Sequence, residues 1–375
     1  MKVLVALGTR PEVIKLAPVI VALKQRAVVR ICATGQHREM LQQALDAFGL
    51  QPDIMLDTMT PGRSLNILAA RLMEGLDGVL DQEQPDWVLV QGDTTTAFCA
   101  GLAAFQRQTR VGHVEAGLRT GDLASPFPEE ANRRLLARIA TLHFAPTQMA
   151  AAALRAEGIP ESAIRVTGNS VVDAIAQAQS AWPGGVPVGL PADIQQRLGV
   201  GPAVLVTCHR RENFGTVMEA FCHMLARLCE RYPDIQWIFP VHLNPAVREP
   251  VNRLLVRQSN LLLMEPVDYH CSLYLISRAI LVLSDSGGIQ EEAPSFGTPV
   301  VVMRQHTERI EGVMAGFATL AGQDPAAIEA AVGFWLNDAG RRKALRELAN
   351  PYGDGCASTR IVSALYGEPC EAFHG

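Results

Sequence analysis

The chain has 375 residues, of which 48% are hydrophobic, 6% aromatic and 19% charged, and its 33 basic and 38 acidic side chains leave a formal charge of −5. That length suits two domains of about 150 to 200 residues each, with aliphatic strands buried on both faces. The acidic balance argues against nucleic acid as a bulk partner, so an anionic ligand has to be held by a few placed arginines and helix ends.

Short aliphatic runs alternate with longer helical stretches. Residues 2–6, 28–33, 87–91, 111–114, 142–145 and 164–167 read as strands in the first half, and 203–207, 236–240, 261–264, 279–284 and 299–303 in the second. Segments such as 14–25 and 218–230 between them read as helices, which predicts βαβ units and parallel sheets. The opening apolar run is too short for a signal-peptide core, and no stretch approaches the roughly 18 apolar residues of a membrane span, so the expectation is a cytoplasmic protein with no membrane partner. The eight cysteines contain no Cys-x-x-Cys pair; reduced thiols are expected, with neither a disulfide framework nor a metal site.

The alternation pauses at 181–191, where three prolines and three glycines fall in eleven residues; this reads as the interdomain region. A second break at 350–355 precedes a last helical segment from about Ala357. The expected architecture is α/β, with two Rossmann-like domains facing across a cleft. Residues 1–172 form the first domain, 173–355 the second, and 356–375 a C-terminal helix packing back on the first. Ligands of such sheets bind outside the carboxyl ends of the strands, so the polar residues there are the candidates.

The first strand ends in Gly8-Thr9-Arg10-Pro11-Glu12, with Lys15 one turn on. A tight turn, a helix N-terminus and two cations suit an anion, although an ordinary βα turn would look the same and the motif is not Gly-x-Gly-x-x-Gly. After 87–91 comes Gly92-Asp93-Thr94, where Asp93 either caps the next helix or works in the cleft. Glu115 leaves the strand 111–114, and Glu129 follows Pro126-Phe127-Pro128. Three carboxylates at the strand ends of one half can push at least one pKa upward, so that one holds a proton while another accepts one.

In the second half, Cys208-His209-Arg210-Arg211 follows a strand and suits a diphosphate leaving group, with positive charge and a proton donor together. Cys208 and His209 do not form a nucleophile pair, because adjacent strand side chains point to opposite faces. The most specific local signal is Ser284-Asp285-Ser286-Gly287-Gly288. A strand, a small-residue turn and a helix there present free N–H groups to a phosphate. Glu292 falls one turn on, within reach of a ribose diol, and Arg304 and Thr307-Glu308-Arg309 follow the next strand.

Nine blocks in order carry a family resemblance: GTRPEVIKLAP (8–18), TGQHREML (34–41), VQGDTTT (90–96), GHVEAGLRTGDLASPFPEEANR (112–133), VTGNSVVDA (166–174), CHRRENFG (208–215), PVHLNPAVREPV (240–251), SDSGGIQEEAPSFGTPVV (284–301) and NPYGDG (350–355). Over essentially its full length the chain resembles the non-hydrolysing UDP-N-acetylglucosamine 2-epimerases. The resemblance implies a GT-B-like fold, a homodimer, and no metal or nicotinamide cofactor. It also implies interconversion of UDP-N-acetylglucosamine (UDP-GlcNAc) and UDP-N-acetylmannosamine (UDP-ManNAc) through elimination and re-addition of UDP, supplying cell-surface polysaccharide synthesis.

By motif position the resemblance makes Asp93, Glu115, Glu129 and His209 catalytic. It gives UDP contacts to Arg10, Lys15, Ser286, Gly287, Gly288, Glu292 and Arg309, and associates Gln36, Arg210 and His242 with a second, activating UDP-GlcNAc. The chain departs from the pattern at Cys208, where the family has Gly, and at Ile310, where it has Pro. Segment 265–272 lacks the glutamine and phenylalanine that some relatives place near uracil. Rival readings are a hydrolysing epimerase, an epimerase of a modified UDP-diacetamido sugar, a GT-B glycosyltransferase, and a non-catalytic nucleotide-sugar sensor.

Overall fold

Val3, Leu4, Val5, Ala6 and Leu7 are all fully buried, and so short an aliphatic run can hide both faces only as the inner strand of a helix-covered parallel sheet. The computed structural model describes residues 1–35, 38–58, 64–210 and 213–375, and of 38–40 the backbone alone. Strands β1 (Lys2–Leu7), β2 (Val28–Ala33), β3 (Ile54–Met55), β4 (Trp87–Gln91), β5 (Arg110–Val114), β6 (Leu142–Ala145) and β7 (Ile164–Val166) form one parallel sheet, in the order β3-β2-β1-β4-β5-β6-β7. Strands β8 (Ala203–Thr207), β9 (Gln236–Pro240), β10 (Leu261–Met264), β11 (Ala279–Ser284), β12 (Val300–Val302) and β13 (Ala318–Leu320) form the other, in the order β10-β9-β8-β11-β12-β13.

Both sheets repeat the doubly wound pattern in which strand order reverses beside the first strand. The reversal lies between β1 and β4 in one sheet and between β8 and β11 in the other, and at such a switch point the loops leave a crevice at the carboxyl edge. Register then decides which residues meet. Gln91 pairs with Val114, so Gly92 lies beside Glu115; Thr207 pairs with Ser284, so Cys208 lies beside Asp285. Strands β3 and β13 leave no mark in the sequence pattern. Both are sheet edges of two and three residues, too short to show a strand period.

The chain divides into two compact units, Met1–Ala178 with Tyr352–Gly375, and Gln179–Pro351, where the sequence reading set the limits at 172 and 355. Residues 169–178, among them the buried Ala174, Ile175 and Ala178, belong to the first unit. Tyr352 joins it, its carbonyl accepting from Asn169 N at 2.7 Å. Within that unit, Asp173 caps the helix Ala357–Leu365 by accepting from Ala357 N at 3.2 Å and Ser358 N at 2.8 Å. No helix among the described residues is long and apolar enough to cross a membrane.

Candidate active site

In the first unit, Glu12 ties together the two loops of the switch point. Its carboxylate is fully buried and accepts from Gly8 N at 3.0 Å, Thr9 Oγ1 at 2.7 Å and, after β4, Thr94 Oγ1 at 2.7 Å. Burial raises its pKa in spite of these bonds. Gly8 admits no side chain here: a Cβ would stand 2.4 Å from Thr96 Oγ1 and 2.5 Å from Thr34 Oγ1. Arg10 opens the helix Arg10–Lys24, half-buried and without a carboxylate partner among the described residues.

Glu115 sits immediately after β5 with φ of 62°, a left-handed conformation that costs a non-glycine residue on the order of 1–3 kcal/mol. Its carboxylate is buried and gripped from both sides, by the Lys15 ammonium on Oε1 and the Gln91 amide on Oε2. Asp93 pairs through Oδ2 with Arg133, and its carbonyl accepts from Asn132 Nδ2 at 2.9 Å. Glu129 is half-buried at the first turn of the helix Glu129–Ile139. Three and four residues before Asn132 and Arg133, it shares their helix face. Glu130 is fully buried; it accepts from Thr120 N at 3.1 Å and Gly121 N at 3.3 Å, which anchors the intervening loop. Asp93 and Glu115 are thus each paired with a cation, Arg133 and Lys15 respectively.

In the second unit, Asp285 is the hub. It is fully buried, and its Oδ2 accepts from His209 N at 2.9 Å, Arg210 N at 2.9 Å and Asn213 Nδ2 at 2.8 Å. His209 Nδ1 lies 3.0 Å from the other oxygen, Oδ1. Burial pushes the Asp285 pKa up, but His209 and the two backbone amides outweigh it and bring it down to about 2. Cys208, behind them, is buried and its thiol pKa is pushed well up by that burial, which leaves it inert as a nucleophile. His242 stacks on His209 with ring centroids 6.0 Å apart, and Arg210 Nε donates to Asp285 O at 3.0 Å. Arg210 and His242 therefore stand beside His209; Gln36 lies outside the described residues.

Beyond Asp285, Ser286 precedes the helix Gly287–Glu292. A Cβ on Gly287 would be 3.0 Å from Arg309 Cζ, and one on Gly288 would be 3.7 Å from Glu292 Oε1 and 3.9 Å from Ser286 Oγ. The Ser286 hydroxyl, the Arg309 guanidinium and the Glu292 carboxylate thus gather at one helix end. Arg309 is held from behind, its Nε on Glu291 Oε1 at 2.9 Å and its Nη1 on Glu308 Oε2 at 3.0 Å.

A sequence model described as UDP-N-acetylglucosamine 2-epimerase matches residues 21–366. The chain belongs to the UDP-N-acetylglucosamine 2-epimerase family. The family's Escherichia coli K12 member, named UDP-N-acetylglucosamine 2-epimerase, is 47% identical over 375 residues, covering 97% of this chain and 98% of that one. A crystal structure of UDP-GlcNAc 2-epimerase from Neisseria meningitidis, bound to UDP-GlcNAc, is 41% identical with a TM-score of 0.89, covering 98% of this chain and 100% of that one. A glycosyltransferase of kitacinnamycin, 13% identical with a TM-score of 0.64, shares the GT-B-like fold alone.

In this epimerase-family chain the partners of the candidate residues are not legible along the sequence. Gln91 and Asp285 lie inside quoted motifs, yet neither was given a role, because a hydrogen bond to Glu115 or His209 is invisible until sheet register places the loops together. Among the described residues no group of three or more His, Cys, Asp or Glu is arranged to hold a metal ion.

Proposed function

We propose that this chain is a non-hydrolysing UDP-GlcNAc 2-epimerase, with proton-carrying carboxylates in the first unit and anion-binding loops in the second. The observation that carries the reading is the occupancy of the two switch points: Asp93 and Glu115 beside one, and His209, Arg210, Ser286 and Arg309 at the other. In the forward direction a carboxylate takes the C2 proton, the C2–H electron pair forms the C1–C2 double bond, and UDP leaves C1 with its bonding pair. The bound 2-acetamidoglucal is then reprotonated at C2 on the opposite face and UDP adds back to C1.

Asp93, Glu115 and Glu129 move the protons. Lys15 pairs with Glu115 and orients its carboxylate, while His209 and Arg210 stabilise the departing diphosphate. Arg10, Ser286, Gly287, Gly288, Glu292 and Arg309 bind UDP. A homodimer, a cytoplasmic location and a role in supplying UDP-ManNAc for polysaccharide synthesis belong to the same reading, which the family resemblance supports.

Incubation with UDP-GlcNAc in D2O, followed by proton NMR, tests it. Deuterium is expected at C2 of both epimers with no net hydrolysis; stoichiometric free UDP would instead identify a hydrolysing enzyme, and turnover without C2 exchange would end the elimination mechanism.

Gly287→Ala tests the phosphate cradle separately. Its methyl group displaces the Arg309 guanidinium, and loss of one charge-assisted bond is expected to weaken UDP binding about tenfold, near 1.4 kcal/mol. Calorimetric titration with UDP reads the change, and an unaltered Kd removes Arg309 from the site.

A further inference from the structure

The bonds around Asp285 are divided unequally between its two oxygens. Three donors saturate Oδ2: His209 N, Arg210 N and Asn213 Nδ2, at 2.9, 2.9 and 2.8 Å. Oδ1 is buried and accepts no hydrogen bond of good geometry among the described residues; the group facing it is the His209 ring, whose Nδ1 lies 3.0 Å away. The side chain that completes the Oδ2 set is itself oriented, because Asn213 Oδ1 accepts from Gln323 Nε2 at 2.8 Å. That bond fixes which end of the Asn213 amide faces Asp285. Asn213 is buried, while the His209 side chain is 41% exposed. The ring therefore turns Nδ1 to the carboxylate while its side chain stays partly exposed.

We propose that Asp285 is a positioning residue for His209: Oδ1 holds the ring proton on Nδ1 and leaves Nε2 as the working nitrogen, while Asn213 and Gln323 lock the carboxylate in place. This rests on the role given above to His209. Neutral, the ring then offers an Nε2 lone pair; protonated, it offers an Nε2–H donor and a positive charge that Asp285 balances. The neighbouring ring provides a contrast. His242 Nδ1 accepts from Asn244 N at 3.1 Å, so neutral His242 carries its proton on Nε2. Two stacked imidazoles are thereby assigned opposite tautomers, with Asp285 acting on both and Arg210 bound to Asp285.

Long-range 1H–15N correlation spectra of the full chain labelled in histidine read the tautomers directly, at a pH where the rings are neutral; His209→Gln assigns the signal. The expected result is Nδ1–H for His209 and Nε2–H for His242. Asp285→Asn is nearly isosteric, but the three donors at the Oδ2 position compel the new amide to turn its oxygen to them and its NH2 toward Nδ1. His209 is then expected to switch to Nε2–H. With KM for UDP-GlcNAc little changed, kcat is expected to fall at least about tenfold, part of the roughly 10²–10⁴ that a positioned acid–base group supplies.

A wild-type His209 protonated on Nε2 overturns the proposal, and this measurement needs no variant to fold. Wild-type turnover in Asp285→Asn also overturns it. If His209→Gln is inactive in either case, the role of His209 stands and only the positioning is lost. If His209→Gln turns over at the wild-type rate, the role of His209 fails and the proposal with it.

Discussion

Glu115→Gln is expected to lower kcat by about 10²–10⁴-fold, the range supplied by a positioned acid–base group, while UDP binding is little changed. Glu115 is held at both carboxylate oxygens and by its backbone. Lys15 and Gln91 occupy its two oxygens, and its backbone keeps a φ of 62° that an unconstrained glutamate avoids. Strain of that kind persists only where the surroundings over-determine it, and it collects at functional sites. The same substitution leaves the buried Lys15 ammonium facing a neutral amide, which is expected to destabilise the fold by about 3–5 kcal/mol.

Chemistry and folding therefore have to be separated. The double variant Lys15→Met, Glu115→Gln removes both charges and should recover much of the stability without recovering turnover. Steady-state rates, UDP titration and thermal unfolding of the two variants check this. A folded Glu115→Gln enzyme at the wild-type rate would falsify the assignment of Glu115 as a proton carrier.

The first sheet is expected to lose roughly 4 to 5 kcal/mol of stability between pH 6.5 and 4.5 through two buried histidines. His113 and His143 are each 1% exposed and sit opposite one another on β5 and β6. Burial is the main cause that drives their pKa values down from 6.5, to about 3 for His113 and about 4 for His143. The sign follows from proton counting. Below pH 6.5 the unfolded chain binds two protons that the folded sheet refuses, so stability is present above 6.5 and is lost as pH falls.

Buried Glu12 and Asp173 work in the opposite sense. Their raised folded pKa values give stability at low pH that is lost as pH rises, so the total slope is a difference and a variant is needed to isolate the histidines. His113→Gln keeps a donor near Gly92 O, which His113 Nε2 reaches at 2.7 Å. It should flatten the curve by about 1.4 kcal/mol per pH unit. Hydrogen exchange of the β5 and β6 amides, corrected for intrinsic rates, measures this locally, and parallel curves for wild type and variant would count against it.

Much of the fold was legible in order along the chain. A run such as Val-Leu-Val-Ala-Leu at 3–7 or Trp-Val-Leu-Val-Gln at 87–91, short, aliphatic and bounded by turn residues, fits a covered parallel strand better than a helix of ordinary length. Turn glycines and polar residues after each run marked the carboxyl edges, so Asp93, Glu115, His209 and the Ser286–Gly288 turn were accessible as candidates from position alone. The edge strands β3 and β13 were not, because two or three residues carry no period and owe their conformation to the neighbour they pair with.

The sequence by itself determined the alternation of strands and helices, the stations of the candidate residues, and the family. Tertiary structure decided their partnerships. Lys15 and Glu115 are a hundred residues apart, and β1, β4 and β5 become consecutive neighbours only in the reversed strand order of the sheet. His209 and Asp285 meet for the same reason at β8 and β11. A hydrogen bond is short and directional, so a one-residue change of register would undo either pair while leaving the hydrophobic pattern of each strand readable.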